Sequence, residues 1–339
     1  GTSCLMCHRI TAVEEVGTAG GGNASYTVNL RDRETYVFEN DDSAVLKWLG
    51  DKQINAKPDV HKASYMQPFY KDPKLCGSCH GEFSPGTGSV IVNTYGEWEA
   101  SPYNNPSDPS KNRTCIDCHM HGDIKQIGTP LPGQSTDGGP VKANVVTHQF
   151  TGANHHLVGL RNPKLAQMSV DLLRSSATLT SRLETTADGR QVVVRVANTG
   201  AGHKLPTGVA DFREMWLQLT VTDARGQVVV QSGQLDSANE LPADVRKSAK
   251  TFGRADGTPA GLTFWRHEKM LTDTRIPAGG HSDEAFALPP DTQLPVKVEA
   301  RLLFRIYPQW VTTAVQKAYP ALPTPEVVEM NHLSIELGS

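Results

Sequence analysis

Six cysteines occur in the 339-residue chain, in three pairs of identical spacing, each followed at once by histidine: Cys4-Leu5-Met6-Cys7-His8, Cys76-Gly77-Ser78-Cys79-His80 and Cys115-Ile116-Asp117-Cys118-His119. Two thiols three positions apart can form thioethers with the two vinyl groups of one heme, and the next residue is then placed to ligate the iron from the proximal side. With 12 histidines in 339 residues, three such histidines arise by chance on the order of once in 20,000. The pattern is therefore read as three covalent heme c sites with His8, His80 and His119 as proximal ligands. A thioredoxin-like reading would need a βαβ context that is absent, and a zinc ribbon would need its knuckles closer together than Cys79 and Cys115. No cysteine remains for a structural disulfide.

Nine further histidines could supply distal ligands, and five of them, His61, His121, His148, His155 and His156, share the stretch that carries the motifs. The run from Thr147 to His156 holds three around Gly152, which lets backbone approach a flat macrocycle. His148 and one of the His155/His156 pair are expected to ligate, as is His61, a short way before the second motif. His121 follows a proximal histidine by two; it could serve a neighbouring heme, but an exposed loop position is the expected reading. Methionine is the competing ligand. Met6 lies inside a Cys-x-x-Cys loop and Met120 directly follows His119, so neither can reach the far face of its own heme, and Met168 reads as helix core. Spare histidines outnumber the hemes, which favours bis-His ligation and low potentials.

The elements that must position these residues change character along the chain. Residues 1–161 are turn-rich, with short helical signals at Asp41 to Leu49 and Tyr95 to Ala100. Such a segment is a poor core for an ordinary domain; three porphyrins would supply the apolar bulk, with Trp48, Phe69, Tyr70, Phe83 and Trp98 packing on them. A connecting helix is expected over 162–176, with Asn162 as N-cap, Pro163 at the first position and Leu165, Met168 and Leu172 on one face. Residues 177–339 read as period-two strands: Leu179 to Thr185 and Val192 to Ala197 as one hairpin, and Met215 to Thr222 and Val228 to Gln231 as a second. Leu262 to Trp265, Glu284 to Ala287, Val296 to Ile306 and Val327 to Leu337 follow. Seven or eight strands in that length predict an all-β sandwich of immunoglobulin-like type, without the usual inter-sheet disulfide. The chain is thus expected to be multidomain, a mostly irregular and α multiheme cytochrome domain followed by the sandwich.

One loop stands out, Asn198-Thr199-Gly200-Ala201-Gly202-His203-Lys204-Leu205-Pro206-Thr207-Gly208. Its glycines let the loop approach a flat ring and Pro206 stiffens it, so His203 is expected to ligate a heme held by the other half or by an adjacent subunit; a long sandwich loop with an incidental histidine is the alternative.

A net charge of -3 and the lack of any basic block exclude nucleic acid as a partner. No apolar run reaches the roughly 18 residues of a membrane span, and no leader opens the chain. Heme attachment to cysteine follows export, so a removed signal segment and a periplasmic or extracellular location are expected.

The runs Leu75 to His80, Thr94 to Tyr103 and Thr114 to Met120 together resemble exported bacterial multiheme cytochromes. Asn198 to Gly208 and Ala300 to Arg305 are similar to the β-domain that ends some members of that group. The resemblance implies electron transfer through closely stacked bis-His hemes, with His61, His148, His155 and His203 at positions typical of distal ligands. Gly1-Thr2-Ser3-Cys4 looks like the approach to a second heme site, so an upstream heme, or one donated by a neighbouring subunit, is expected. The leading expectation is an electron carrier, not an enzyme. It would work with other redox proteins or cytochromes, the β-domain serving self-assembly or docking to a membrane complex. The alternative is a multiheme oxidoreductase acting on a small nitrogen or sulfur compound at an open iron.

Overall fold

The computed structural model describes residues 4–29, 37–38, 41–57 and 59–338. Contacts divide the chain into two units, residues 1–81 with 114–150, and residues 82–113 with 151–339. All three Cys-x-x-Cys-His motifs lie in the first. Segments 82–113 and 151–161, read from sequence with the motifs, group with the strands instead.

In the first unit each motif falls on or runs out of a short helix, and for the second and third motifs the helix start is chemically specified. Asp72 accepts from the Lys74 amide and Pro73 occupies the first helical position of Pro73–Gly77, where its missing N–H costs nothing. The carboxylate of Asp117, inside the third Cys-x-x-Cys, accepts from both the amide and the hydroxyl of Thr114 at 2.8 Å and fixes the start of Cys115–His119. A helical turn puts cysteines at i and i+3 on one face with the histidine beside them. The expected helix at Asp41 to Leu49 forms as Ala44–Ala56.

The two larger antiparallel sheets of the second unit hold seven strands. One runs in the order Val228–Ser232, Glu214–Thr222, Val296–Arg305, Val328–Leu337; the other runs His281–Ala287, Gly189–Asn198, Ala177–Thr186. Alternation fixes the register: Leu217, Leu219 and Val221 pair with Leu302, Ala300 and Val298, and all six are buried. They share one core with Val192, Val194 and Val196 of the other sheet. Both expected hairpins form, the first closing at Thr186 and Gly189, the second around Asp223, whose carboxylate accepts from the amides of Arg225 and Gln227.

Two expectations need correction. Leu262 to Trp265 is not a strand but part of the 3₁₀ turn Gly261–Arg266, because Gly261 takes a left-handed φ of 56° and the Thr263 hydroxyl donates to the Ala260 carbonyl. The helix Pro163–Ser175 forms with its Asn162 cap, but its buried residues are Ser169 and Leu173, with Val170 packed on the core. Ser169 is tolerated there because its hydroxyl is satisfied by the Leu165 carbonyl. The strand pair Lys250–Gly253 and Lys269–Asp273 and the helix Gln309–Gln316 were not anticipated. Among the described residues no helix is long and apolar enough to cross a membrane.

Candidate heme-binding site

The three motifs converge within the first unit. The Cys76 and Cys115 side chains hydrogen-bond each other, joining the second and third motifs. Burial, then the neighbouring Cys79 and Cys76, push the Cys7 thiol upward, so the first motif lies in the same cluster. Backbone contacts support this. The Tyr70 hydroxyl donates to the Cys7 carbonyl at 3.2 Å, and the fully buried Ser78 offers its carbonyl to the amides of Ala24 and Ser25. None of the six cysteines forms a disulfide, and all six retain the helical or post-helical spacing that two vinyl groups require.

His148 enters this cluster from the end of the unit. The Thr147 amide donates to the Met120 carbonyl, and the His148 ring centre lies 6.4 Å from that of His8, with the Phe150 ring edge-on to it at 5.7 Å. Two imidazoles on one iron, with metal–nitrogen bonds of about 2 Å and about 1 Å more from nitrogen to ring centre on each side, have centres about 6 Å apart. The His8 and His148 rings have that separation. His61 lies in the helix Asp59–Tyr65, and its side chain is outside the described residues.

The other expected distal histidines belong to the second unit. Both ring nitrogens of His155 face carbonyl oxygens, those of Ala153 and Glu326, each at 3.3 Å. His156 differs. Its pKa is lowered by burial and then by His155, the Pro323 backbone holds one side of the ring, and its Nε2 is buried without a hydrogen-bond partner among the described residues. A carbonyl on one nitrogen and a bare second nitrogen is the arrangement that orients a metal-binding imidazole.

The His203 loop is built rather than slack. Asn198 is fully buried, its amide donating to the carbonyls of His203 and Ile276 and its oxygen accepting from Ala201. His203 Nδ1–H donates to the Lys204 carbonyl at 2.9 Å, and burial lowers the ring's pKa. An ion cluster braces the loop: Lys204 pairs with Asp273 at 2.8 Å, Asp273 with Arg275, and Arg275 with Glu97, which also accepts from Thr207. Glu97 sits on the helix Thr94–Glu99, and the adjoining Tyr103 hydroxyl donates to the Thr199 carbonyl. Two stretches far apart in sequence thus meet at this loop.

The remaining histidines have protein partners or stand at the surface. His267 is buried between the Phe264 carbonyl, Ser89 and the Phe252 ring, and exposed His332 pairs with Glu299. His121 contradicts the sequence reading: it is 5% exposed, and neither ring nitrogen has a hydrogen-bond partner among the described residues. Its burial had no local sequence signal, since Gly122 and Asp123 read as an ordinary loop.

The residues of the first unit fit heme. Among its described residues Ile10 is the single buried apolar side chain, while Leu5, Val45, Trp48 and Leu49 are 48%, 66%, 56% and 43% exposed. Apolar surface of that size beside paired thiols and imidazoles suits a large flat apolar group.

No protein-family model and no curated protein sequence matches the chain. In structure the chain is similar to a penta-heme cytochrome c552 from Thermochromatium tepidum, at a TM-score of 0.60 and 18% identity, over 98% of this chain and 76% of that one. Across nearly the whole chain the fold is therefore shared with that penta-heme cytochrome c552.

Proposed function

We propose that the chain transfers electrons through three covalently attached c-type hemes, bis-His ligated and closely stacked, in periplasmic or extracellular respiration. The observation that carries this reading is the pairing of His8 with His148 at the separation two axial imidazoles require. Heme, when bound, supplies a reversible one-electron iron couple. The chain's residues do the rest: the thiols hold the ring at the Cys4/Cys7, Cys76/Cys79 and Cys115/Cys118 pairs, and His8, His80 and His119 take the proximal positions. His148 closes the distal side of the first iron. His61 remains for one of the other irons, and His156 and His203 remain for a heme held by a neighbouring subunit. His155, whose ring faces the carbonyls of Ala153 and Glu326 at 3.3 Å, ranks behind His156, whose Nε2 has no hydrogen-bond partner among the described residues.

Filling both axial positions argues for an electron carrier over a multiheme oxidoreductase acting on a small nitrogen or sulfur compound, which needs an open iron. We read the two sheets as an immunoglobulin-like sandwich whose edge strands Val228–Ser232 and His281–Ala287 can dock a redox partner, a membrane complex or another copy, including within a filament. The test is spectroscopic. The purified protein should keep three hemes after acid-acetone extraction, and its spectrum should stay low-spin on adding carbon monoxide, cyanide or nitrite. A native high-spin heme that binds them would replace the carrier reading with the enzymatic one.

A further inference from the structure

His121 is the residue in the first unit that its protein surroundings leave least satisfied. A buried imidazole with both nitrogens unpartnered loses its hydrogen bonds to water and gains none in return. The Thr147 hydroxyl is likewise buried without a partner among the described residues, and both residues line one cleft with Ile116, Met120 and Gln126. The cleft therefore presents polar groups to a guest that is not a protein side chain.

We infer that His121 is an axial ligand to the iron of a neighbouring heme; this rests on the bis-His reading above. The iron of its own motif is out of reach. His119 takes the proximal face, and two residues of chain, about 7 Å at full extension, cannot pass around the porphyrin edge to the other side. His148 stands opposite His8, which leaves the iron held by His80. The contact between Cys115 and Cys76 brings the second and third motifs together, so the His80 heme is the adjacent one. The unit's six histidines, His8, His61, His80, His119, His121 and His148, then equal the axial positions of three hemes.

The experiment uses the full heme-loaded chain. His121→Gly should convert one heme in three to a high-spin form that binds carbon monoxide, and added imidazole should restore the low-spin spectrum. Combined with His148→Ala, two hemes in three should be high-spin, since the two histidines serve different irons. If His121→Gly leaves every heme low-spin and inert to carbon monoxide, His121 fills no axial position and instead meets a propionate or nothing. If the double variant shows one high-spin heme only, the assignment to a separate iron fails. Should the glycine variant not accumulate, His121→Met decides: it retains an axial ligand and should move one redox wave to more positive potential, and an unmoved wave overturns the proposal. A wild-type protein already partly high-spin would sink the bis-His reading itself, and is seen before any variant is made.

Discussion

At the residue scale the Cys-x-x-Cys-His motifs are readable without the structure, because the pattern is local and its spacing is itself what thioether attachment requires. The distal ligands are not, because a ligand's partner lies far away in sequence and the signal is only that a histidine is present. The His155/His156 pair shows the difference: adjacent and identical, they are separated by the carbonyls that surround them. His155→Ala should leave every heme spin state unchanged, read by resonance Raman or by carbon monoxide difference spectra; a new high-spin heme would return His155 to the ligand set. Bis-His ligation further predicts that all three centres reduce below the range of His/Met cytochromes, and a titration wave at clearly positive potential would reveal a methionine ligand. A different residue-scale prediction concerns Arg305, which is fully buried and bonds the Glu214 carboxylate at 2.6 and 3.0 Å and the Asn239 carbonyl at 2.8 Å. Arg305→Met leaves Glu214 buried and charged and should cost about 3–5 kcal/mol. Adding Glu214→Leu should recover much of that in urea unfolding, and an unchanged midpoint for the single variant would show the pair to be dispensable.

At the element scale the long strands were readable because alternation of apolar and polar residues persists for whole strands, as in Glu214–Thr222 and Val296–Arg305. Lys250–Gly253 escaped notice because it is short and begins with a lysine, a residue seldom buried. In the structure Lys250 is 2% exposed and its Nζ donates to the carbonyls of Val90 and Ile91 at 2.9 and 3.1 Å. Burial first, then nearby Arg275, lower its pKa from 10.5 to about 8. A lysine whose folded pKa is depressed contributes stability that is present above the unfolded value and lost as pH falls through the folded one. Stability should therefore rise between pH 8 and 10.5, by on the order of 3 kcal/mol, and Lys250→Met should flatten that rise in thermal unfolding. A wild-type curve that is level across this window would mean the lysine is charged and unstrained. The His203 loop depends equally on one small residue: a Cβ on Gly200 would sit 2.0 Å from the Ser175 carbonyl oxygen. Gly200→Ala must displace backbone and should cost about 1–3 kcal/mol; an unchanged unfolding midpoint would mean the loop shifts freely.

At the scale of the whole molecule the sequence conveyed two kinds of chain but not how they interleave. Segment 82–113 lies between two heme motifs, so proximity along the chain assigned it to them, whereas Trp98 bonds the Arg113 carbonyl and Glu97 bonds Arg275 within the unit of strands. Long-range ion pairs of that kind leave no periodicity to read. The two units also differ in what holds them. The strands enclose an extensive core of Val, Leu, Ile and Phe, while the motif-bearing unit buries Ile10 and exposes Trp48 and Val45. A unit with so little apolar burial cannot offset the conformational entropy of ordering its chain, roughly 1–2 kcal/mol per residue, so on the proposed reading its order comes from the porphyrins. Replacing Cys76 and Cys79 together by serine removes the covalent hold on the second heme, between the other two motifs. In amide hydrogen exchange, protection across residues 4–81 and 114–150 should then fall, while the strands Gly189–Asn198, Glu214–Thr222 and Val296–Arg305 exchange as slowly as before. Protection that survives in the first unit with only two hemes attached would show that its polypeptide carries more of its own stability than its exposed apolar side chains imply. Exchange that accelerates equally in the strands would show instead that the two units unfold as one.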